Sequence, residues 1–190
     1  MLGAGAVGLA AVMAGVVAGA TTIVAVDLHQ HRLALALELG ATHVLEGDDP
    51  EIVAKIQSIT SGGADYALDT TGVPSVITAA LAGLRLTGVL GMVGVQRGNL
   101  VLDGLALLGK TATGILEGSV DPHLFIPQLI DLWRAGRFPF DRLIEHFPLS
   151  DINAAERSSR SGNTIKPVLV PNGAAMPSSH NDATERRVRP

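Results

Sequence analysis

Gly3, Gly5 and Gly8 stand in the pattern Gly-x-Gly-x-x-Gly, and Asp27 closes the apolar segment that follows them. Residues of these types can cradle a dinucleotide. Gly3 permits a tight turn out of a strand, Gly5 lets the backbone approach a pyrophosphate, and Gly8 lets the next helix pack close to the strand. A helix that starts near Ala6 and Val7 aims its N-terminal amides and positive dipole end at phosphate. Asp27 lies 19 residues after Gly8, close to the distance of about 20 at which an acidic group meets the adenosine ribose. A carboxylate there accepts hydrogen bonds from ribose hydroxyls and repels a 2′-phosphate, so the pattern favours NAD over NADP.

These residues need a strand before the glycines and a second strand ending at Asp27. The second is legible in the β-branched run Thr21 to Val26, after a helical run from Val7 to Ala18. Of the first, only Met1 and Leu2 precede Gly3, so the first strand is expected to be truncated. Further along, helical and strand patterns alternate. The periodicity predicts helices over His31–Leu39, about 50–60 with Pro50 at its first position, and from Pro74 with Val76, Ile77, Ala80, Leu81 and Leu84 inward. Strands are expected at Thr42–Leu45, at a buried Tyr66–Leu68, at Val89–Gly94 and at Lys110–Leu116. Repeated β-α units of this length imply an α/β fold, a Rossmann-type doubly wound parallel sheet with helices on both faces. Its ligands lie at the carboxyl ends of strands, where Gly3–Gly8, Asp27, Thr70–Gly72 and Val93–Val95 all fall.

After Leu116 the pattern changes. A helix is expected over Pro122–Ala135 with Leu124, Phe125, Leu129 and Leu132 on its apolar side, then a strand near Leu143–Phe147, a helix from Ser150 or Asp151, and a strand at Thr164–Val170. The domain reading is therefore 1–116, a nucleotide-binding domain; 117–170, a C-terminal segment; and 171–190, a disordered tail rich in Pro, Ser, Asn and Arg.

Composition narrows the alternatives. The 190 residues carry a net charge of −4, and the basic residues form no dense block outside the tail, which argues against nucleic-acid binding. With no cysteine there is neither a disulfide nor a thiolate metal site, and the chain reads as cytoplasmic. The six histidines are scattered, and no catalytic constellation stands out. The uncharged stretch Met1–Val26 could be taken for a membrane helix. Five interrupting glycines, no preceding Lys or Arg, and a change from small to β-branched residues at Thr21 oppose that reading.

The chain resembles the coenzyme domain of zinc-dependent medium-chain alcohol dehydrogenases, most closely the aryl-alcohol branch. The resemblance is carried by Gly3–Gly8, Val26-Asp27, Leu39–Val44, Asp69–Gly72 and Val93-Gly94-Val95, and by Gly136–Asp141, Asp151–Ala155 and Ile165–Leu169 near the end. It implies an NAD site. Gly3, Gly5, Ala6, Val7 and Gly8 would hold the pyrophosphate, and Asp27 with Arg32 the ribose. Thr70 and Thr71 would line the adenine side, Val93, Val95 and Ile115 would border the nicotinamide, and Lys166 would reach a phosphate. The residue readings leave Arg32 and Lys166 equally well explained as solvated surface charges, and the threonines as turn formers.

The same resemblance implies reversible oxidation of a primary (aryl) alcohol to its aldehyde. The catalytic zinc belongs to an N-terminal domain of the family that this sequence lacks, so the chain alone is expected to be inactive and to contribute no metal ligand. It also implies a homodimer through the strand at 111–116. Two other readings stand beside it: a non-catalytic NAD-binding or dimerisation module, or the remnant of a truncated enzyme, including one whose start is misassigned.

Overall fold

The computed structural model describes residues 1–171. The tail expected over 171–190 lies, but for Pro171, outside the described residues. Two compact units are present, Met1–Phe138 and the part from Pro139 onward. The first contains a parallel sheet of β1 (Val24–Asp27), β2 (His43–Glu46), β3 (Ala64–Asp69), β4 (Leu84–Met92) and β5 (Thr111–Gly114). β1 pairs with β2, and β3, β4 and β5 pair in that order. Between the two groups sits Leu2, which bridges Val26 on one side and Asp69 on the other, both in parallel. Leu2 is thereby central in the order β2-β1-Leu2-β3-β4-β5.

Helices α1 (Ala6–Val17), α2 (Gln30–Glu38), α3 (Ile52–Ile59) and α4 (Pro74–Ala82) connect these strands. Connections from the centre toward β2 and from β2 back toward β4 run in opposite directions across the sheet. Right-handed crossovers then set α1 and α2 on one face and α3 and α4 on the other. On α4, Ile77, Ala80 and Leu81 are buried as the periodicity predicts, against Leu2, Val26 and Leu90; Val76 is only partly buried, and Leu84, expected on this helix, opens β4 because α4 ends at Ala82. Burial of a side chain such as Leu90 contributes about 1.5–3 kcal/mol.

The structure departs from the sequence reading at several points. Pro50 does not open α3. Asp49 accepts a hydrogen bond from the Glu51 amide at 2.8 Å and pairs with Lys55, which closes a turn first, so the helix begins at Ile52. β4 starts at Leu84, five residues earlier than expected, because Ala64 pairs with Leu84 before an irregularity resets the register at Tyr66 and Val89. Tyr66 is not buried but 77% exposed; among the described residues β3 pairs on that side only through Leu2, opposite Asp69. α5 (Pro122–Arg134) belongs to the first unit and has no buried residue; Leu124 and Phe125 stand out of the surface. In the second unit β6 (Ile144–Pro148) pairs in parallel with β7 (Lys166–Val170), with α6 (Ile152–Arg160) between them. Thr164 anchors that unit by donating to the Glu145 carboxylate at 2.6 Å.

The Met1 amine donates to the Val24 carbonyl at 2.8 Å and is buried, which lowers its pKa from 8.0 to about 6. The unfolded chain therefore binds more protons than the folded one between these values, and stability rises as pH goes from 6 to 8. The native state is expected to lose about 2 kcal/mol from pH 8 to pH 6 through this group. Urea unfolding at the two pH values, with and without N-terminal acetylation, isolates the effect: acetylation should remove it.

Candidate functional site: a glycine turn and two buried carboxylates

The glycine turn begins where the Leu2 stub leaves the sheet. Gly3 has φ +89°, a conformation that side chains rarely adopt, and a Cβ there would run into the Thr70 hydroxyl. Gly8 is required for a different reason. A Cβ on it would overlap the Gly3 carbonyl oxygen, so only glycine lets α1 lie this close to the turn. Gly5 is the N-cap residue of α1 and has no side chain to cap the helix. A Cβ there would meet nothing within 4 Å, so the space above it is open to a ligand. The first hydrogen bond of α1 runs from the Leu9 amide to the Gly5 carbonyl at 2.8 Å. The amides of Ala6, Val7 and Gly8 precede it and have no intrahelical acceptor. Together the turn makes a cradle of donors at a positive helix end, suited to a phosphate.

Asp27 ends β1 and is 9% exposed. One carboxylate oxygen accepts the Ala4 amide at 2.7 Å, which ties the glycine turn to β1. The other accepts the His29 amide at 2.9 Å and contacts His29 Nδ1 at 3.0 Å. Arg32 lies 3.9 Å away. Burial alone would raise the Asp27 pKa. The amides of His29 and Ala4, the His29 ring and the Arg32 charge outweigh it and hold the carboxyl below the ordinary value. An ionised carboxylate is thus fixed at the carboxyl edge of the sheet.

The residues at 70–72 are more structural than the sequence suggests. Thr70 donates its hydroxyl to the carbonyls of Leu2 and Gly3, at 3.0 and 3.1 Å, and its amide to Leu2 at 3.0 Å. Thr71 turns its hydroxyl to Asp69 at 2.7 Å. Asp69, which the sequence reading left out of the site, is fully buried and also accepts the amides of Thr71 and Gly72, at 3.1 and 2.9 Å. Gly72 and Gly94, which the sequence reading set at these strand ends without a role of their own, bring the β3 and β4 exit loops into backbone contact: a Cβ on Gly72 would overlap the Val95 carbonyl. The signal for these three was the string Asp69-Thr70-Thr71-Gly72 followed by Val93-Gly94-Val95, in which a carboxylate and two glycines recur at strand ends.

The remaining expected residues are placed as follows. The Val93 amide donates to the Asp69 carbonyl at 2.8 Å, and Val95 projects from the loop, 88% exposed. Ile115 follows β5, with its side chain turned toward Gly91. Lys166 is exposed on β7 of the second unit. Asp27 and Arg32 converge with the glycine turn through Ala4, and Thr70 joins it directly. Among the described residues no group of three or more His, Asp or Glu side chains could hold a metal ion. No described helix is long and apolar enough to cross a membrane.

A parallel, doubly wound sheet with a glycine turn on its central strand and a carboxylate ending the next strand defines a Rossmann-type domain of the dehydrogenase kind. The chain belongs to the zinc-binding dehydrogenase family, whose profile matches residues 6–133. It is 43% identical over 175 residues to a geraniol dehydrogenase of Castellaniella defragrans, covering 90% of this chain and 47% of that protein. An NDMA-dependent alcohol dehydrogenase of Amycolatopsis methanolica is 34% identical, with 88% and 47% covered. Among solved structures, benzyl alcohol dehydrogenase from Acinetobacter calcoaceticus superposes with a TM-score of 0.86 at 42% identity, covering 88% of this chain and 48% of that one. An alcohol dehydrogenase zinc-binding domain protein from Burkholderia ambifaria also gives 0.86, at 49% identity, with 88% and 46% covered. The chain thus spans about half the length of the relatives it matches.

The two inner glycines should separate cleanly in a denaturation experiment. Gly8→Ala is expected to destabilise the chain by about 2 kcal/mol or more, because a backbone oxygen blocks its Cβ. Gly5→Ala, at φ −76° with open space around it, should change stability by about 0.5 kcal/mol or less. Urea midpoints compared by circular dichroism test the pair.

Proposed function

We propose that this chain is the coenzyme-binding part of an NAD-dependent alcohol dehydrogenase. The observation that carries the reading is the pairing of the open amide cradle at Gly5–Gly8 with the fixed, ionised Asp27. The pyrophosphate would lie over Gly5, with the Ala6, Val7 and Gly8 amides donating to it. Asp27 would accept from the adenosine ribose, with Arg32 beside it, and its charge would disfavour a 2′-phosphate. Thr70 and Thr71 would border the adenine side chiefly through backbone and methyl groups, since their hydroxyls are engaged within the loop. Val93, Val95 and Ile115 would border the nicotinamide.

NAD, when bound, supplies the hydride acceptor. The residues named here would bind and orient it; none is proposed to exchange a proton with the substrate. The substrate class is a primary alcohol with an adjacent unsaturated or aromatic carbon, as the names of the geraniol and benzyl alcohol relatives suggest. The described residues offer no ligand set for zinc, so the 190-residue chain alone is proposed to bind coenzyme without oxidising alcohols. The exposed apolar surface of α5 supports its being part of a larger assembly. The setting proposed is the cytoplasm.

NADH fluorescence titration tests the reading. Saturable binding is expected for the folded wild-type chain, with about tenfold or greater weakening in Asp27→Ala and weaker binding of NADPH than of NADH. No binding by a chain that is folded by circular dichroism would overturn it. β5 ends the sheet, and Leu105, Leu108 and Leu116 near it are 75%, 62% and 82% exposed, which favours a homodimer through the 111–116 edge. Sedimentation should then show a dimer that Leu116→Asp dissociates.

A further inference from the structure

The two oxygens of Asp27 are not equally occupied. Oδ1 accepts the His29 amide at 2.9 Å and also meets His29 Nδ1 at 3.0 Å. Oδ2 accepts the Ala4 amide at 2.7 Å, and Arg32 Nη1 stands 3.9 Å from it, beyond hydrogen-bond reach. An ionised carboxylate has about four acceptor positions, two on each oxygen. Among the described residues, His29 thus fills both positions on Oδ1, and Oδ2 keeps one beside Ala4.

The placement of the His29 ring does nothing for its own helix. His29 is the N-cap residue of α2, where a side chain ordinarily accepts an amide of the first turn. Its side chain makes no such bond and turns back to Asp27 instead. An ionised carboxylate has no proton to give, so Nδ1 carries the hydrogen and donates it. The ring also packs edge to face with His31, centroids 5.7 Å apart, which favours this one orientation. Nor is the ring needed to hold the carboxylate. The amides of Ala4 and His29, one on each oxygen, already fix it. The bond from Nδ1 therefore acts on what Oδ1 can still accept.

A ribose presents two adjacent hydroxyls, and a carboxylate with both oxygens open can take one on each. We propose that His29 is a positioning residue that limits Asp27 to a single ribose hydroxyl, by filling Oδ1 with its amide and its ring and leaving Oδ2 as the open acceptor. The site then accepts dinucleotides in which the other hydroxyl is absent. This rests on Asp27 facing the adenosine ribose of a bound coenzyme, as proposed above.

The probes are NADH and its two analogues that lack either the 2′- or the 3′-hydroxyl of the adenosine ribose, titrated by nicotinamide fluorescence against the full 190-residue chain. With the wild type, one analogue should bind about tenfold more weakly than NADH and the other within about twofold, because one charge-assisted hydrogen bond is lost in the first and none in the second. His29→Ala opens Oδ1, so both analogues should then bind about tenfold more weakly than NADH. His29→Asn, whose side-chain amide can donate as Nδ1 does, should restore the one-sided pattern. In the ligand-free chain, hydrogen exchange of the Ala4 amide should agree within about twofold between His29→Ala and the wild type. Equal losses for both analogues in the wild type would overturn the proposal and leave the coenzyme reading standing. So would a one-sided pattern that persists in His29→Ala, or faster exchange of Ala4 there, since the ring would then be holding the carboxylate rather than filling it. A wild-type chain that does not bind NADH, or binds it with no regard to either hydroxyl, would overturn the ribose role of Asp27 as well.

Discussion

Two residues hold the first unit together. Met1 and Leu2, with Gly3, make five backbone hydrogen bonds: to Val24 and twice to Val26 on one side, and to Leu68 and Thr70 on the other. Among the described residues this ladder is all that joins β1 and β2 to β3, β4 and β5 within the sheet. It also fixes the point at which the chain turns into the glycine cradle. Backbone bonds of this kind are each worth only about 0.5–1.5 kcal/mol net, but a break would leave buried donors and acceptors unpaired on both neighbours. The apolar side of the same stub, Leu2, packs against Val26, Ile77 and Leu90, so the ladder and the core depend on one another.

On this join rest two carboxylates with parallel tasks. Asp27 at the end of β1 takes the Ala4 amide, and Asp69 at the end of β3 takes the amides of Thr71 and Gly72. Each converts the end of a strand into a fixed turn, and Thr70 ties the second turn to the first through the Leu2 and Gly3 carbonyls. The difference between them is exposure. Asp69 is sealed and serves the loop alone, whereas Asp27 retains an edge at the surface beside His29 and Arg32. A carboxylate that is both held in place and reachable is the one that can meet a ligand.

Much of the fold was legible because period is a local property. The helical spacing of Ile77, Ala80 and Leu81 and the β-branched run ending at Asp27 each report their element without knowledge of the rest. The site was legible in part for a similar reason: Gly3 and Gly8 are demanded by backbone geometry, which leaves a mark in residue type. The errors fell where a distant group decides. The start of α3 depends on Asp49 capping a turn, the length of β4 on a register break opposite Ala64, and the exposure of Tyr66 on what lies next to β3. The role of Thr70 depends on a partner 68 residues away.

The sequence by itself determined the alternation of strands and helices, the glycine turn and the acidic strand end, since these follow from spacing and from which residues tolerate a tight backbone. Only the tertiary structure decided that Met1 and Leu2 lie between β1 and β3 and that Asp69 is sealed while Asp27 is reachable. Pairing partners, burial and cavities are set by contacts between segments far apart in the chain, and a local pattern carries no record of them.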